Sequence, residues 1–358
     1  MQTYPCSRVL LRFDRNTDKP DLRQISACAR DREGNLWLGN DESTGLSRLK
    51  HKTPGIFAKH RYQDLSDRLE LPEQDEEIDI EGMDIAQDRL WIVGSHTSTR
   101  KKFKGDRDTE TNLERLSKVR LQPNRFLIAS ARIDEGKLKD DKLTQLPITK
   151  EGKVLSQALQ EDPHLGPFLC TQGEERIGGC RQIASKENGF DIKGTAVRED
   201  RLFLGLRGPV LRGWAILLEI RPTEDGDNRL TLEPIGSGDR LYRKHFVYLQ
   251  GMGVRDLLWH GSDLLILAGP TMDITGLQSI YRLRWAADFT DDSITDSDGG
   301  RLELLYHLPP VTQGDKAEGF CRYDDSELLV FYDAPRSDRL VADNTVLADV
   351  FALPDAQC

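Results

Sequence analysis

The sequence predicts an all-β fold, a five-bladed β-propeller with six blades as the alternative, and three observations carry that expectation. One strand–turn–strand unit is written repeatedly along the 358 residues. Its copies recur at a long and mostly even interval. Each copy is followed by further short apolar runs broken by Gly, Asp and Asn, the rhythm of stacked antiparallel blades.

The clearest copy is Asp79-Ile80-Glu81-Gly82-Met83-Asp84-Ile85 leading into Asp88-Arg89-Leu90-Trp91-Ile92-Val93-Gly94. Asp191-Ile192-Lys193-Gly194-Thr195-Ala196-Val197 leads in the same way into Asp200-Arg201-Leu202-Phe203-Leu204-Gly205. Val254–Leu258 precedes Asp263–Gly269, Ala317–Phe320 precedes Glu327–Phe331, and a looser copy joins Ile25–Cys28 to Gly34–Gly39. With Ser26, Gly82, Gly194, Asp256 and Gly319 as one register, the intervals are 56, 112, 62 and 63 residues.

The long interval reads as an insertion. After Leu90–Gly94, the runs Arg125–Ile133 and Lys142–Ile148 complete a four-stranded unit. Glu151–Gln160 then places Val154, Leu155, Ala158 and Leu159 at helical spacing before Pro163. Residues 151–188 are therefore expected to be a helical insertion, and a possible lid, within one domain spanning residues 1–358.

The third unit is expected at Thr195–Val197, Arg201–Leu206, Trp214–Arg221 and Arg229–Ile235. The fourth is expected at Val254–Trp259, Asp263–Ala268, Ser279–Trp285 and Arg301–His307. The last offers only Glu318–Tyr323, Leu328–Tyr332 and Val346–Leu353. Ser7–Phe13 is the expected missing strand; it closes the ring and removes the exposed sheet edges.

Composition narrows the function classes. A net charge of −10 argues against a nucleic-acid partner. The longest apolar run, Trp214–Leu218, is too short to cross a bilayer, so no membrane partner is expected. The first residues lack the apolar core of a signal peptide. The six cysteines, Cys6, Cys28, Cys170, Cys180, Cys321 and Cys358, show no CxxC and read as free thiols, Cys28 and Cys321 as a buried pair across the ring closure. A cytoplasmic protein is expected.

Topology locates a site. In a propeller the innermost strand runs antiparallel to the next, so the start of the first and the end of the second emerge on one face. The inner-strand starts supply Asp79, Glu81, Asp191, Lys193, Arg255 and Glu318. The second-strand ends supply Asn40, Asp41, Glu42, Ser95, His96, Arg207, Asp273 and Asp333. Glu81, Lys193, Arg255 and Glu318 share one register, and neighbours in that order can form ion pairs between blades.

Those residue types suit particular chemistry. Asp41, Glu42, Asp79 and Asp333 are hard oxygen ligands for Ca²⁺ or Mg²⁺. Lys193, Arg207 and Arg255, with Asp191, are expected to hold a small anionic ligand. Glu81, His96 and Glu318 are the candidate catalytic groups, His96 as a proton-transfer residue. No GxSxG, HExxH, Walker or GxGxxG motif occurs. Asp288–Gly300 reads as a solvated hairpin loop, because Ile294 and Leu305 stand where a calcium loop needs carboxylates. Arg100-Lys101-Lys102-Phe103-Lys104 reads as a solvated basic loop on the site face.

At Asp79–Met83, Gly94-Ser95-His96, Asp162-Pro163-His164-Leu165, Asn188–Gly194 and Leu204–Gly213, the chain resembles a bacterial domain family of unknown function. That family looks like a relative of the esterase-like phytase propellers. The resemblance implies a propeller fold and a hint of phosphate-ester chemistry, and it carries over no catalytic residue. The resulting expectation is a charged channel-mouth site for a small anionic ligand, with metal-assisted hydrolysis of a phosphate or carboxylic ester. The alternative is a non-catalytic scaffold binding a protein partner.

Overall fold

The first strand, β1 (Ser7–Arg12), lies antiparallel to the last long strand of the chain, with Ser7 opposite Val350 and Arg12 opposite Thr345. The N-terminal strand therefore completes the final sheet, as its alternating apolar pattern predicts. The structure, a computed structural model, describes residues 3–14, 23–74, 76–148, 154–169, 183–286, 289–310 and 314–354.

The fold is all-β and propeller-like. The first unit is a meander of β2 (Ile25–Arg30), β3 (Leu36–Asn40), β4 (Gly45–Thr53) and β5 (Ile56–Asp64). In the second, β6 (Ile80–Ala86) and β7 (Arg89–Gly94) lead into an excursion. The excursion holds β8 (Ser98–Arg100), α1 (Thr109–Ser117) and β9 (Val119–Leu121). The unit ends with β10 (Ile128–Asp134), edged by β11 (Lys137–Leu138) and β12 (Thr144–Gln145). Helix α2 (Val154–Leu159) follows.

The third unit comprises β13 (Asp191–Arg198), β14 (Arg201–Gly208) and β15 (Trp214–Ile220). A side hairpin of β16 (Pro222–Glu224) and β17 (Leu230–Leu232) comes next, then β18 (Tyr242–Tyr248). The fourth is β19 (Gly253–His260), β20 (Asp263–Gly269), β21 (Ser279–Arg284), then β22 (Ser293–Thr295) and β23 (Leu302–His307). The last is β24 (Lys316–Arg322), β25 (Glu327–Asp333), the short β26 (Leu340–Ala342) and β27 (Thr345–Ala352), completed by β1. The innermost strands β2, β6, β13, β19 and β24 pack in that cyclic order, with β24 returning to β2.

The core follows the ring rather than a single centre. Five apolar clusters lie between successive units, from Trp37, Ile80 and Ile92 between the first two to Val9, Cys28 and Val350 across the closure. Each is a sheet-on-sheet sandwich of alternating inward side chains, worth roughly 1.5–3 kcal/mol per fully buried Leu or Phe. Cys28 and Cys321 are both buried free thiols, as expected. Helix α2 adds Leu155 and Leu159 to the cluster between the second and third units. Its following turn is pinned by Asp162, whose carboxylate accepts from Lys244 Nζ at 2.5 Å and Tyr242 Oη at 2.7 Å.

Several sequence expectations need correction. The fourth strand of the third unit is β18, not Arg229–Ile235; residues 230–232 pair instead with β16 at the rim. The alternation in Tyr242–Tyr248 buries Tyr242, Lys244, His245 and Val247 against β15, which the polar composition obscured. Within Asp288–Gly300, Ser293–Thr295 is not loop but an outer strand parallel to β18. The 95–126 excursion, with its helix, was not expected as structure. Of the helix expected at 151–160, residues 154–159 are helical; 151–153, Cys170, Cys180 and Cys358 lie outside the described residues.

One irregularity is common to all five inner strands. The pairing register slips between Ile25 and Ala27, Ile80 and Gly82, Ile192 and Gly194, Val254 and Asp256, and Ala317 and Gly319. Each slip is a β-bulge, which leaves one residue outside the ladder and re-aims its side chain. The bulged residues are Ser26, Glu81, Lys193, Arg255 and Glu318. The first copy is thus displaced by one: Ser26 is the counterpart of Glu81, and Ala27 that of Gly82. The glycine after the bulge has a steric cause, since a Cβ on Gly194 would fall 2.8 Å from Asp256 Cα.

Candidate functional site: a charged cavity at the ring mouth

The bulges point four charges into one place. Lys193 Nζ lies 2.5 Å from Glu81 Oε2 and 3.3 Å from Glu318 Oε2, and Arg255 Nη1 donates to Glu318 Oε1 at 2.5 Å. Ser26, the uncharged member, donates through Oγ to the Ile80 carbonyl at 2.5 Å. Neighbouring units are therefore tied by buried ion pairs. A second tier surrounds them: Arg207 pairs with Asp191, and Arg125 Nη1 with Asp79 Oδ2 at 2.8 Å. Asp79 also accepts from Ser95 Oγ and has left-handed backbone at φ +58°.

The charged members of both tiers line a cavity of about 310 Å³. Its acidic lining includes Asp41, Glu42, Asp79, Glu81 and Asp333. One carboxylate oxygen each from Asp41, Asp79 and Glu81 lie within 4.8 Å of one another. Ligands about 2.4 Å from a common calcium ion can be at most about 4.8 Å apart, so the trio can share a divalent cation. Asp41 Oδ1 is buried and has no hydrogen-bond partner, which leaves it available as a ligand atom.

Burial dominates the electrostatics. It lifts the Asp41 carboxyl to about 7, with Lys193 opposing and Asp79, Asp333 and Glu42 adding to the rise. It raises Glu81 well above the usual carboxylate range, against the pull of Lys193. It raises Asp333 too, with Glu318 adding to the effect. Glu318 goes the other way: burial would raise it, but Arg255, Lys193 and Arg207 outweigh burial and hold it ionised. Lys193 stays charged because Glu318 and Glu81 together overcome its desolvation. The cations of the floor are therefore already neutralised, and the surplus at the mouth is carboxylate.

The remaining cations come from the surrounding loops. Arg100 and Lys102 of the 95–126 excursion line the cavity, as do Lys186, at the end of the 151–188 insertion, and Lys316. Arg100 is clamped by Glu187, and Lys316 Nζ lies 2.9 Å from Asp273 Oδ1. Lys186 is lowered by burial, and Arg207, Lys102 and Lys193 repel its charge against the attraction of Asp273. Arg100, Lys102, Lys186 and Lys316 thus bring four cationic side chains to the lining of one cavity.

Ten of the eleven predicted site residues line this cavity: Asp41, Glu42, Asp79, Glu81, Asp191, Lys193, Arg207, Arg255, Glu318 and Asp333. His96 does not line it. Its backbone is left-handed at φ +56°, its Nδ1 meets the Gly94 carbonyl at 2.9 Å, and its ring packs on Phe126. The carboxylate trio also regroups the expected ligands: Glu81 joins Asp41 and Asp79, while Glu42 and Asp333 stand outside it. Sequence reasoning missed Arg125 and Lys186 as cavity residues. Pro123, at the start of the turn that carries Arg125, was the available signal for the first.

Ring and cavity together define a propeller-like protein with a charged cavity lined by its inner strands. The chain belongs to the DUF3616 family, described as a protein of unknown function and matched over residues 24–349. No curated protein matches it in sequence. Distant structural likenesses include an oxidoreductase (glucose dehydrogenase) of Thermus thermophilus, at 14% identity and a TM-score of 0.40, covering 92% of this chain and 97% of that one. An aldose sugar dehydrogenase of Streptomyces coelicolor has 12% identity and a TM-score of 0.38, covering 97% and 99%. Virginiamycin B lyase of Staphylococcus aureus has 10% identity and a TM-score of 0.37, covering 97% and 99%.

Proposed function

We propose that this chain is a five-bladed propeller whose mouth cavity binds a small anionic ligand together with a divalent cation, Ca²⁺ or Mg²⁺. The reading extends to hydrolysis of a phosphate or carboxylic ester held there. The observation that carries it is the meeting of three carboxylates with loop cations in one small cavity: Asp41, Asp79 and Glu81 with Lys102 and Lys186. Cyclic contact among the five inner strands supports the blade count.

In this reading Asp41, Asp79 and Glu81 hold the cation, and Lys193 and Arg125 fix the rotamers of Glu81 and Asp79 by pairing with them. A bound divalent cation supplies Lewis-acid polarisation of the ester oxygen. Lys102 and Lys186 receive the anionic end of the ligand. Asp333 lines the cavity outside the trio, and its raised pKa suits it to take a proton from an attacking water. Glu318 keeps Arg255 and Lys193 in place as a positioning residue.

Elemental analysis of the purified protein, with calorimetric titration of Ca²⁺ and Mg²⁺, tests the reading directly. Glu81→Ala and Asp41→Asn are expected to abolish cation binding. Aryl phosphate and aryl acetate turnover should need the cation and be lost in Asp333→Asn. Neither cation binding nor ester turnover by the wild type would overturn it.

A further inference from the structure

Eleven large apolar side chains stand exposed among the described residues, and six of them fall on two loops beside the cavity. Phe103, Leu113 and Leu116 belong to the 95–126 excursion; Met272, Ile274 and Leu277 lie between β20 and β21. Lys102 and Met272 line the same cavity, so both loops stand at one rim.

Helix α1 is amphipathic in the inverted sense. Its buried residue is polar: Asn112 Nδ2 donates to the Lys104 and Arg107 carbonyls, both at 3.0 Å. Leu113 and Leu116, one turn apart on a single face, are 65% and 44% exposed. The helix is lashed to the basic loop through Arg115 Nε on the Lys102 carbonyl and Arg100 Nη1 on the Leu116 carbonyl. The apolar face is therefore held outward by specific bonds.

Charge separates this rim from the rest of the molecule. Between Thr97 and Leu121 there are eight Lys and Arg against four Asp and Glu, in a chain of net charge −10. Screening limits exposed charges to about 8 Å at physiological salt, so the charge nearest Phe103, Leu113 and Leu116 is the excursion's own basic excess.

We propose that the mouth rim is a peripheral docking surface for anionic phospholipid. Apolar tips on two separate loops at one rim do not form the continuous complementary core that a protein partner packs against. A bilayer interface receives separated tips one by one, while Lys and Arg meet the lipid phosphates. No helix among the described residues is long and apolar enough to cross a membrane, and binding in the interface plane needs none. The expectation of no membrane partner rested on the lack of a spanning segment, which leaves this mode open.

Vesicle flotation tests the proposal, using phosphatidylglycerol–phosphatidylcholine vesicles against phosphatidylcholine alone at low and high salt. Binding should require phosphatidylglycerol and weaken with salt. Each basic residue at the surface contributes roughly five-fold, so Lys101→Glu with Lys104→Glu should lower partitioning at least about ten-fold. Leu113→Asp with Leu116→Asp should abolish it, with circular dichroism confirming an intact fold. No partitioning at low salt would overturn the proposal. So would partitioning indifferent to both variant pairs, or capture of an acidic protein by this rim with no affinity for vesicles.

Discussion

Glu81 and Lys193 occupy the same bulge in neighbouring sheets, and Nζ of one lies 2.5 Å from Oε2 of the other. With Lys193 also 3.3 Å from Glu318, a single ammonium holds two carboxylates from different units. Ion pairs buried this deeply add little stability when intact, because desolvation offsets their attraction, but they are costly to break singly.

Lys193→Met should therefore destabilise the fold by about 3–5 kcal/mol, since it leaves Glu81 and Glu318 facing one another without their shared cation. Adding Glu81→Gln should recover part of that loss. Urea denaturation of the wild type, single and double variants reads both effects. Additive losses would show that the pair is not coupled.

Asp41 differs from Asp79 and Glu81 in having a buried oxygen with no hydrogen-bond partner. A cation filling that position stabilises the fold in proportion to its occupancy, by about 2.7 kcal/mol at one hundred times its Kd. Millimolar Ca²⁺ or Mg²⁺ should therefore raise the melting temperature of the wild type and leave Asp41→Asn unmoved. An equal rise in both would place the cation elsewhere.

Asp84 carries a pH signature. Its carboxylate accepts from the Val197 and Ile85 amides, at 2.7 Å each, yet burial still lifts it to about 6 from an ordinary 3.8. A carboxyl whose folded pKa is raised binds its proton more tightly in the native state, so stability falls as pH rises from about 4 to 6. The difference corresponds to about 3 kcal/mol, as an order of magnitude. Between pH 4 and 7, Asp84→Asn should gain on the wild type by that amount; parallel stability profiles would refute this.

Asp162 and Lys244 bury their charges together at the base of the insertion, with His164 Nδ1 at 3.1 Å from the ammonium. Asp162→Ala should strand Lys244, whose side chain is only 2% exposed, and cost about 3–5 kcal/mol. Asp162→Ala with Lys244→Met should cost less than the single change. Equilibrium unfolding of the two variants decides it.

Most of the ring was legible because its information is local. Alternating apolar residues around β6–β7, β13–β14, β19–β20 and β24–β25 bury one set of side chains per face, and that pattern survives in a single sequence. The charges at Glu81, Lys193, Arg255 and Glu318 were legible for the same reason, by register alone. What failed was information held in three dimensions. Ser26 was misaligned because a bulge inserts one residue without any sequence mark, and an uncharged Ser gives no contrast. β18 was passed over because its buried Lys244 and His245 are satisfied by Asp162 and Glu219, distant partners that a strand pattern cannot show. Helix α1 escaped because its stripe faces outward, so its period reports no core.

A bulge residue hangs off its ladder, so the hydrogen-bonded frame is indifferent to whether it is Ser, Glu, Lys or Arg. The five positions spell a short word around the ring, and its paired letters can change together while the apolar grammar of each strand stands. Members of this family that share the frame but differ at these five letters should keep the same ring and recognise different guests. Comparing that word across relatives would sort them by ligand before any of them is assayed.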